Sequence, residues 1–254
     1  MPPANDAVFA LRAAGRAFGG NRALAGLTFD VHPGEQIALV GPSGAGKTTL
    51  IRLLNGSLLP TEGTIRLLGE DPAQLSPAAL RAVQRRIGTV YQQFELVSSL
   101  RVVHNVNAGR LGEWPVGKAA LSLLWPQEVE AAAGALARVG IPEKLYERTD
   151  ELSGGQQQRV AIARVLAQNP DVILADEPVS NLDPAHSLAI MDLLRDLSAE
   201  MGKTLVVSLH TVAYAFSHCD RVIGLRGGRL AFDAPSGAVT QPMIDDLYQV
   251  EAGP

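Results

Sequence analysis

The stretch QIALVGPSGAGKTTLIRLLN, Gln36 to Asn55, decides the fold. Gln36 to Val40 is a short apolar run of strand length, and TLIRLLN, from Thr49 onward, has the composition of a helix. Between them lie Gly41, Pro42, Ser43, Gly44, Ala45, Gly46, Lys47 and Thr48, the strand–loop–helix pattern that cradles phosphate. The glycines let the backbone turn tightly and aim successive N–H groups at phosphate oxygens, and the new helix adds its positive end. Lys47 is placed to reach the outer phosphates. Thr48 offers a hydroxyl suited to Mg²⁺, a hard cation that prefers oxygen. A glycine-rich turn with an incidental lysine is the bland alternative, and the complete pattern in its proper context argues against it.

Working outward, further apolar runs occur at Val172 to Ala175, Thr204 to Ser208 and Val222 to Leu225, separated by longer helix-like stretches. This spacing predicts an α/β fold, a buried parallel sheet with crossover helices. Leu27 to Val31 and Gly63 to Leu68 are strand candidates for a small antiparallel sheet near the N-terminus. Between Gln92 and Asn169 the pattern turns helical: Gln127 to Val139 is rich in Ala and Glu, and Gly154 to Gln168 is an uninterrupted helix former. The Asp-Glu-Leu-Ser run before Gly154 offers N-cap groups and Asn169-Pro170 offers a stop.

A chain of 254 residues with 46% hydrophobic and 19% charged residues has the balance of a folded protein. A net charge of −4 without a run of Lys and Arg gives no sign of nucleic-acid binding. The single cysteine, Cys219, excludes an intrachain disulfide framework and fits a reducing compartment. The opening MPPANDAVFALRAAG lacks the pattern of a secretory signal, and no apolar run approaches membrane-spanning length. A cytoplasmic chain whose membrane connection runs through a partner is therefore expected.

VILADEP, Val172 to Pro178, ends a strand on two adjacent carboxylates, at the sheet edge where α/β proteins gather their chemistry. Neighbours at a strand end point in different directions. Asp176 can serve a metal shell while Glu177 addresses an attacking water as general base. VVSLHT places His210 after another strand, where it fits either a γ-phosphate contact or a structural hydrogen bond. Phe18, in RAFGG, fits either a ring stacked on a nucleotide base or a core aromatic.

LSGGQ at Leu152 to Gln156 completes the set. A phosphate cradle, LSGGQ, DEP and a lone histidine in this order resemble the ABC transporter ATPases over nearly the whole chain. The resemblance implies ATP and Mg²⁺ as ligands and a P-loop NTPase (RecA-like) core. It implies one nucleotide-binding domain over 1–254, with an N-terminal antiparallel β subdomain and a helical subdomain inserted at about 93–168. It assigns Gln92 to sensing Mg²⁺ and the transmembrane partner, Asp183 of SNLD to a loop crossing a dimer interface, His210 to a switch and Phe18 to base stacking. It also implies head-to-tail dimers, in which Ser153, Gly154, Gly155 and Gln156 close on ATP held by a second copy of the chain. Asn181 stands where many relatives carry a smaller residue.

Within that family the chain is similar to phosphonate-type importer ATPases. That likeness rests on QQFELV at Gln92 to Val97, AGRLG at Ala108 to Gly112, VSLH at Val207 to His210, GRLAFDAP at Gly228 to Pro235, and the Trp- and Pro-containing stretch from Glu113 to Pro126. That stretch suits packing near the membrane partner or a surface loop anchored by its tryptophans. The resemblance implies membrane permease subunits as partners, a solute-binding protein acting indirectly, and a peripheral position on the cytoplasmic face of the membrane. An importer ATPase for polar amino acids, a soluble ABC ATPase outside transport and a small-molecule kinase are the competing functions. The long coiled coils of repair proteins and the second cassette of ribosome-acting ones are absent, and a kinase has no use for LSGGQ.

Overall fold

The computed structural model describes residues 7–122, 124–180 and 182–249. The chain starts with β1 (Phe9–Phe18), β2 (Asn21–Val31) and β3 (Gln36–Val40), followed by α1 (Lys47–Leu54) and β4 (Glu62–Leu67). Next come α2 (Pro77–Gln84), β5 (Ile87–Val90), and the helices α3 (Val102–Asn107), α4 (Val116–Leu121), α5 (Val129–Arg138) and α6 (Gly154–Gln168). The remainder is β6 (Val172–Asp176), α7 (Pro184–Glu200), β7 (Thr204–Leu209), α8 (Val212–His218), β8 (Arg221–Arg226), β9 (Arg229–Pro235) and α9 (Gln241–Tyr248).

Six strands form one sheet in the order β5-β6-β7-β3-β8-β9. The first five run parallel and β9 pairs antiparallel with β8. Every residue of β6 and β7 is buried, as strands covered on both faces require. Period-two alternation divides their side chains between two cores. Ile37, Leu39, Leu174 and Val206 pack with α1 and the antiparallel sheet, whereas Ala38, Val40, Ile173 and Val207 pack with residues of α3, α5, α6 and α7. This is the α/β architecture expected from the apolar runs.

The antiparallel sheet has the order β2-β1-β4. Its long strand β1 was not anticipated, nor were β5 and β9. FALRAAGRAF does not alternate cleanly because register shifts interrupt its pairing on both sides, and Ala13 takes a φ of 49° at the break. β5 has only four residues, one of them glycine.

The segment between β5 and β6 carries α3 to α6 and short 3₁₀ turns. The predicted helix from Gly154 to Gln168 has those bounds. The Ser153 hydroxyl accepts from the Gln156 N–H while the Gln156 side chain accepts from the Ser153 N–H, a reciprocal capping box. Asn169, with φ 49°, ends the helix in the left-handed region before Pro170. In the Glu113 to Pro126 stretch, Trp114 is half-buried with the Lys118 ammonium 4.7 Å from its ring centroid, and Trp125 is exposed. Asn181 lies outside the described residues.

Candidate functional site

The central strands β6, β7 and β3 are neighbours in the sheet, so their carboxyl ends bring three distant stretches of sequence together. After β3 the backbone turns through Gly44 and Gly46, both with positive φ. At Gly46, with φ 102°, an added Cβ would sit 2.7 Å from the Ala23 carbonyl oxygen, so strain and space both demand glycine. The turn directs Lys47 back over the loop, where its ammonium donates to the carbonyls of Gly41 (2.8 Å) and Pro42 (3.3 Å). Burial pushes the Lys47 pKa below its ordinary value, opposed by the carboxylates of Glu177 and Asp176.

Asp176 ends β6 opposite Ser208 of β7. The Ser208 hydroxyl donates to Asp176 Oδ1 at 2.8 Å, and Thr48 Oγ1 lies 3.2 Å from the same oxygen. Glu177 follows in the left-handed region at φ 49°, a conformation that costs a non-glycine residue about 1–2 kcal/mol. Its N–H is held by Ser208 Oγ at 2.9 Å. The turn gives the two carboxylates separate tasks: Asp176 faces Thr48, whereas Glu177 Oε1 lies 3.9 Å from Lys47 Nζ and 2.5 Å from His210 Nε2. His210 thus contacts Glu177 directly.

A cavity of about 490 Å³ opens above these groups, lined by Ser43, Gly44, Ala45, Gly46, Lys47, Thr48 and Thr49 together with Gln92, Glu177 and His210. Asn21, Arg22 and Ala23 complete its wall. Gln92 reaches across to the Ser180 hydroxyl, donating from Nε2 at 3.3 Å. The fit to a nucleoside triphosphate with Mg²⁺ is good: the glycine-rich turn and Lys47 line the space, and the hydroxyl–carboxylate pair of Thr48 and Asp176 supplies hard oxygen donors. Among the described residues no cluster of three or more His, Cys, Asp or Glu forms a metal cage. A cation here would share its coordination with phosphate and water, as Mg²⁺ does.

The other predicted residues lie elsewhere. Phe18, 45% exposed at the end of β1, has the Arg16 guanidinium 4.7 Å from its ring centroid. Ser153, Gly154, Gly155 and Gln156 form the start of α6 and do not line the cavity. Asp183 caps α7, accepting from the N–H groups of Ala185 and His186, each at 3.1 Å. The sequence reading missed Ser208, the hydroxyl that fixes both acids. Its strand already begins with the hydroxyl of Thr204, so a second hydroxyl just before the Leu209-His210 pair did not stand out. It also missed Tyr248 of α9, whose hydroxyl lies 3.4 Å from the His210 carbonyl oxygen.

The sequence profile described as ABC transporter matches residues 24–180. A protein of Anaeromyxobacter dehalogenans (strain 2CP-C) named "Phosphonates import ATP-binding protein PhnC" is 48% identical over 99% of this chain, which spans only 50% of that protein's length. "Phosphonates import ATP-binding protein PhnC 1" of Pseudomonas aeruginosa is 49% identical, over 91% of this chain and 87% of its own. Among solved structures, the ATP-binding cassette MJ0796, a dimer in a post-hydrolysis state bound to ADP and Pi, superposes with a TM-score of 0.77 at 31% identity, covering 90% of this chain and 98% of that one. CbiO1 of Clostridium perfringens, part of the ABC transporter complex cbiONQ, gives 0.80 at 28% identity, over 95% of this chain and 94% of its own. By profile, sequence and fold together, the chain belongs to the ABC transporter family, as one of its ATP-binding cassettes.

Proposed function

We propose that this chain is the ATP-hydrolysing subunit of an importer for phosphonates or a related phosphorus oxyanion such as phosphite. In this reading it is a peripheral protein on the cytoplasmic face of the membrane, working as a homodimer under permease subunits that an external solute-binding protein loads. No helix among the described residues is long and apolar enough to cross a membrane. The observation that carries the phosphonate assignment is the near-half identity to the two phosphonate import proteins over nine-tenths or more of this chain. The whole chain is read as one nucleotide-binding domain with a helical subdomain at about 93–168.

The reaction follows from the cavity. Residues Gly41 to Thr49 grip the triphosphate through backbone N–H groups, and Lys47 neutralises charge on the outer phosphates. Thr48 and Asp176, with Gln92 beside them, would hold Mg²⁺, which would supply positive charge against the charge developing on the terminal phosphoryl. Glu177 accepts a proton from the attacking water. His210, hydrogen-bonded to Glu177, orients that carboxylate and faces the γ-phosphate, and Phe18 stacks on the base. Because Ser153, Gly154, Gly155 and Gln156 lie away from the cavity in their own chain, we assign them, with Asp183, to the nucleotide held by the second copy. Their helix end is capped yet still offers N–H groups to an anion. Hydrolysis then requires subunit closure, which is how the permease gains control of it.

The test is reconstitution with the permease and binding protein, comparing stimulation of ATP hydrolysis by phosphonates, phosphite, phosphate and polar amino acids. Stimulation by a phosphorus compound is the expected result. Stimulation by an amino acid alone would overturn the substrate assignment and leave the ATPase standing.

A further inference from the structure

His186 stands in the first turn of α7, outside every motif that the sequence reading used. Its Nδ1 lies 2.5 Å from Asp183 Oδ2, while its backbone N–H bonds the other oxygen of that carboxylate. The Asp183 pKa is held below the ordinary carboxylate range by the bonds from the His186 backbone and ring. The opposite edge of the ring reaches the start of α6, where a Cβ built on Gly155 would come within 3.5 Å of His186 Cδ2. One imidazole therefore bridges Asp183 and the signature turn, the two features that the dimer reading directs at the partner's nucleotide. Both members of the ion pair are more than half exposed.

Few other charges surround the ring. On its own helix it faces Asp183. From α6 it meets Gly155, and Leu152 to Gln157 contain no ionisable side chain. The nearest ionisable residues along that chain are Glu151 and, one turn further into α6, Arg159, whose guanidinium donates to the Val139 carbonyl oxygen, while Asp150 is paired with Arg148. On the α8 side, the Tyr214 hydroxyl lies 3.4 Å from the Pro184 carbonyl oxygen.

We propose that His186 is a positioning residue of the shared nucleotide site, tying Asp183 to the signature turn and taking up one proton from solvent as the dimer closes on ATP. The proposal rests on the head-to-tail dimer reading above. A neutral ring with its hydrogen on Nδ1 already donates to Asp183, and protonation turns that contact into a stronger charge-assisted bond while placing a second N–H on the Nε2 edge beside the signature. Closure brings the partner's triphosphate to that edge. An arriving anion favours the imidazolium over the neutral ring. By linkage, acid then favours closure, and closure weakens as rising pH strips that proton from the closed dimer.

The experiment uses the full chain carrying Glu177→Gln, so that ATP is bound without turnover, with and without His186→Gln. The glutamine amide still reaches Asp183 but cannot take a charge. The ATP concentration that dimerises half the protein is measured by sedimentation from about pH 6 to 8.5, with proton uptake from calorimetry in buffers of different ionisation enthalpy. The parent is expected to need more ATP as pH rises, by up to about tenfold per pH unit and site, with proton uptake that His186→Gln removes. His186→Arg should close tightly with no such pH term. Any pH dependence from ATP itself or from His210 is common to both proteins. Identical pH profiles and proton uptake in parent and His186→Gln would overturn the proposal alone. No ATP-dependent dimer at any pH would overturn it together with the dimer reading.

Discussion

At the scale of single residues, two neighbouring acids do different work because one backbone angle separates them. Asp176 keeps strand geometry and meets Thr48, while Glu177 swings into the left-handed region toward Lys47 and His210. Glu177→Gln preserves the shape but cannot accept a proton. Turnover should fall by about 10²- to 10⁴-fold, the usual contribution of a general base, while ATP binding survives. Single-turnover kinetics with a parallel nucleotide-binding assay would check this, and near-normal hydrolysis would remove Glu177 from the role. These residues were legible in the sequence because each ends a recognisable apolar run. Ser208 was not, since a hydroxyl inside a strand carries no spacing signal, and only the register opposite Asp176 reveals its part.

Among the elements, the close approach between the segment after α3 and α6 is the most demanding. A Cβ on Gly109 would lie 2.1 Å from the Arg164 carbonyl oxygen in α6, and the Arg85 guanidinium donates to the nearby Gly112 carbonyl at 2.5 Å. The AGRLG segment that marked the phosphonate-type likeness is thus also a packing device. Gly109→Ala should force the two segments apart and cost about 1–3 kcal/mol, seen as a lower urea midpoint with unchanged cooperativity. An unshifted midpoint would mean that the approach relaxes freely. Helix α6 was readable to the residue because Ser153 and Asn169-Pro170 punctuate it. β1 was hidden because its bulge at Ala13 breaks the alternation that identifies strands, and β9 because an exposed, antiparallel edge strand lacks a continuous apolar run.

For the whole molecule, burial gives a direct probe of integrity. Cys219 is buried beside α8, and desolvation pushes its thiol pKa up to about 12, so almost no reactive thiolate exists near neutrality. The native chain should resist maleimide at about pH 8 and react only as it unfolds, so that the labelling rate reports opening. Rapid labelling of the folded protein would show that this core opens readily. The larger question is why one chain carries both a phosphate cradle and an anion-attracting helix end that does not line its cavity. The most direct test mixes two inactive variants, Lys47→Ala, which lacks the cradle's ammonium, and Ser153→Arg, which blocks the signature turn. Each alone should hydrolyse almost no ATP. In the mixed dimer, the cradle of the Ser153→Arg subunit meets the intact signature of the Lys47→Ala subunit, so one complete site forms and activity returns on mixing. If the two variants demonstrably associate in the presence of ATP and hydrolysis still does not return, the site is not shared between subunits.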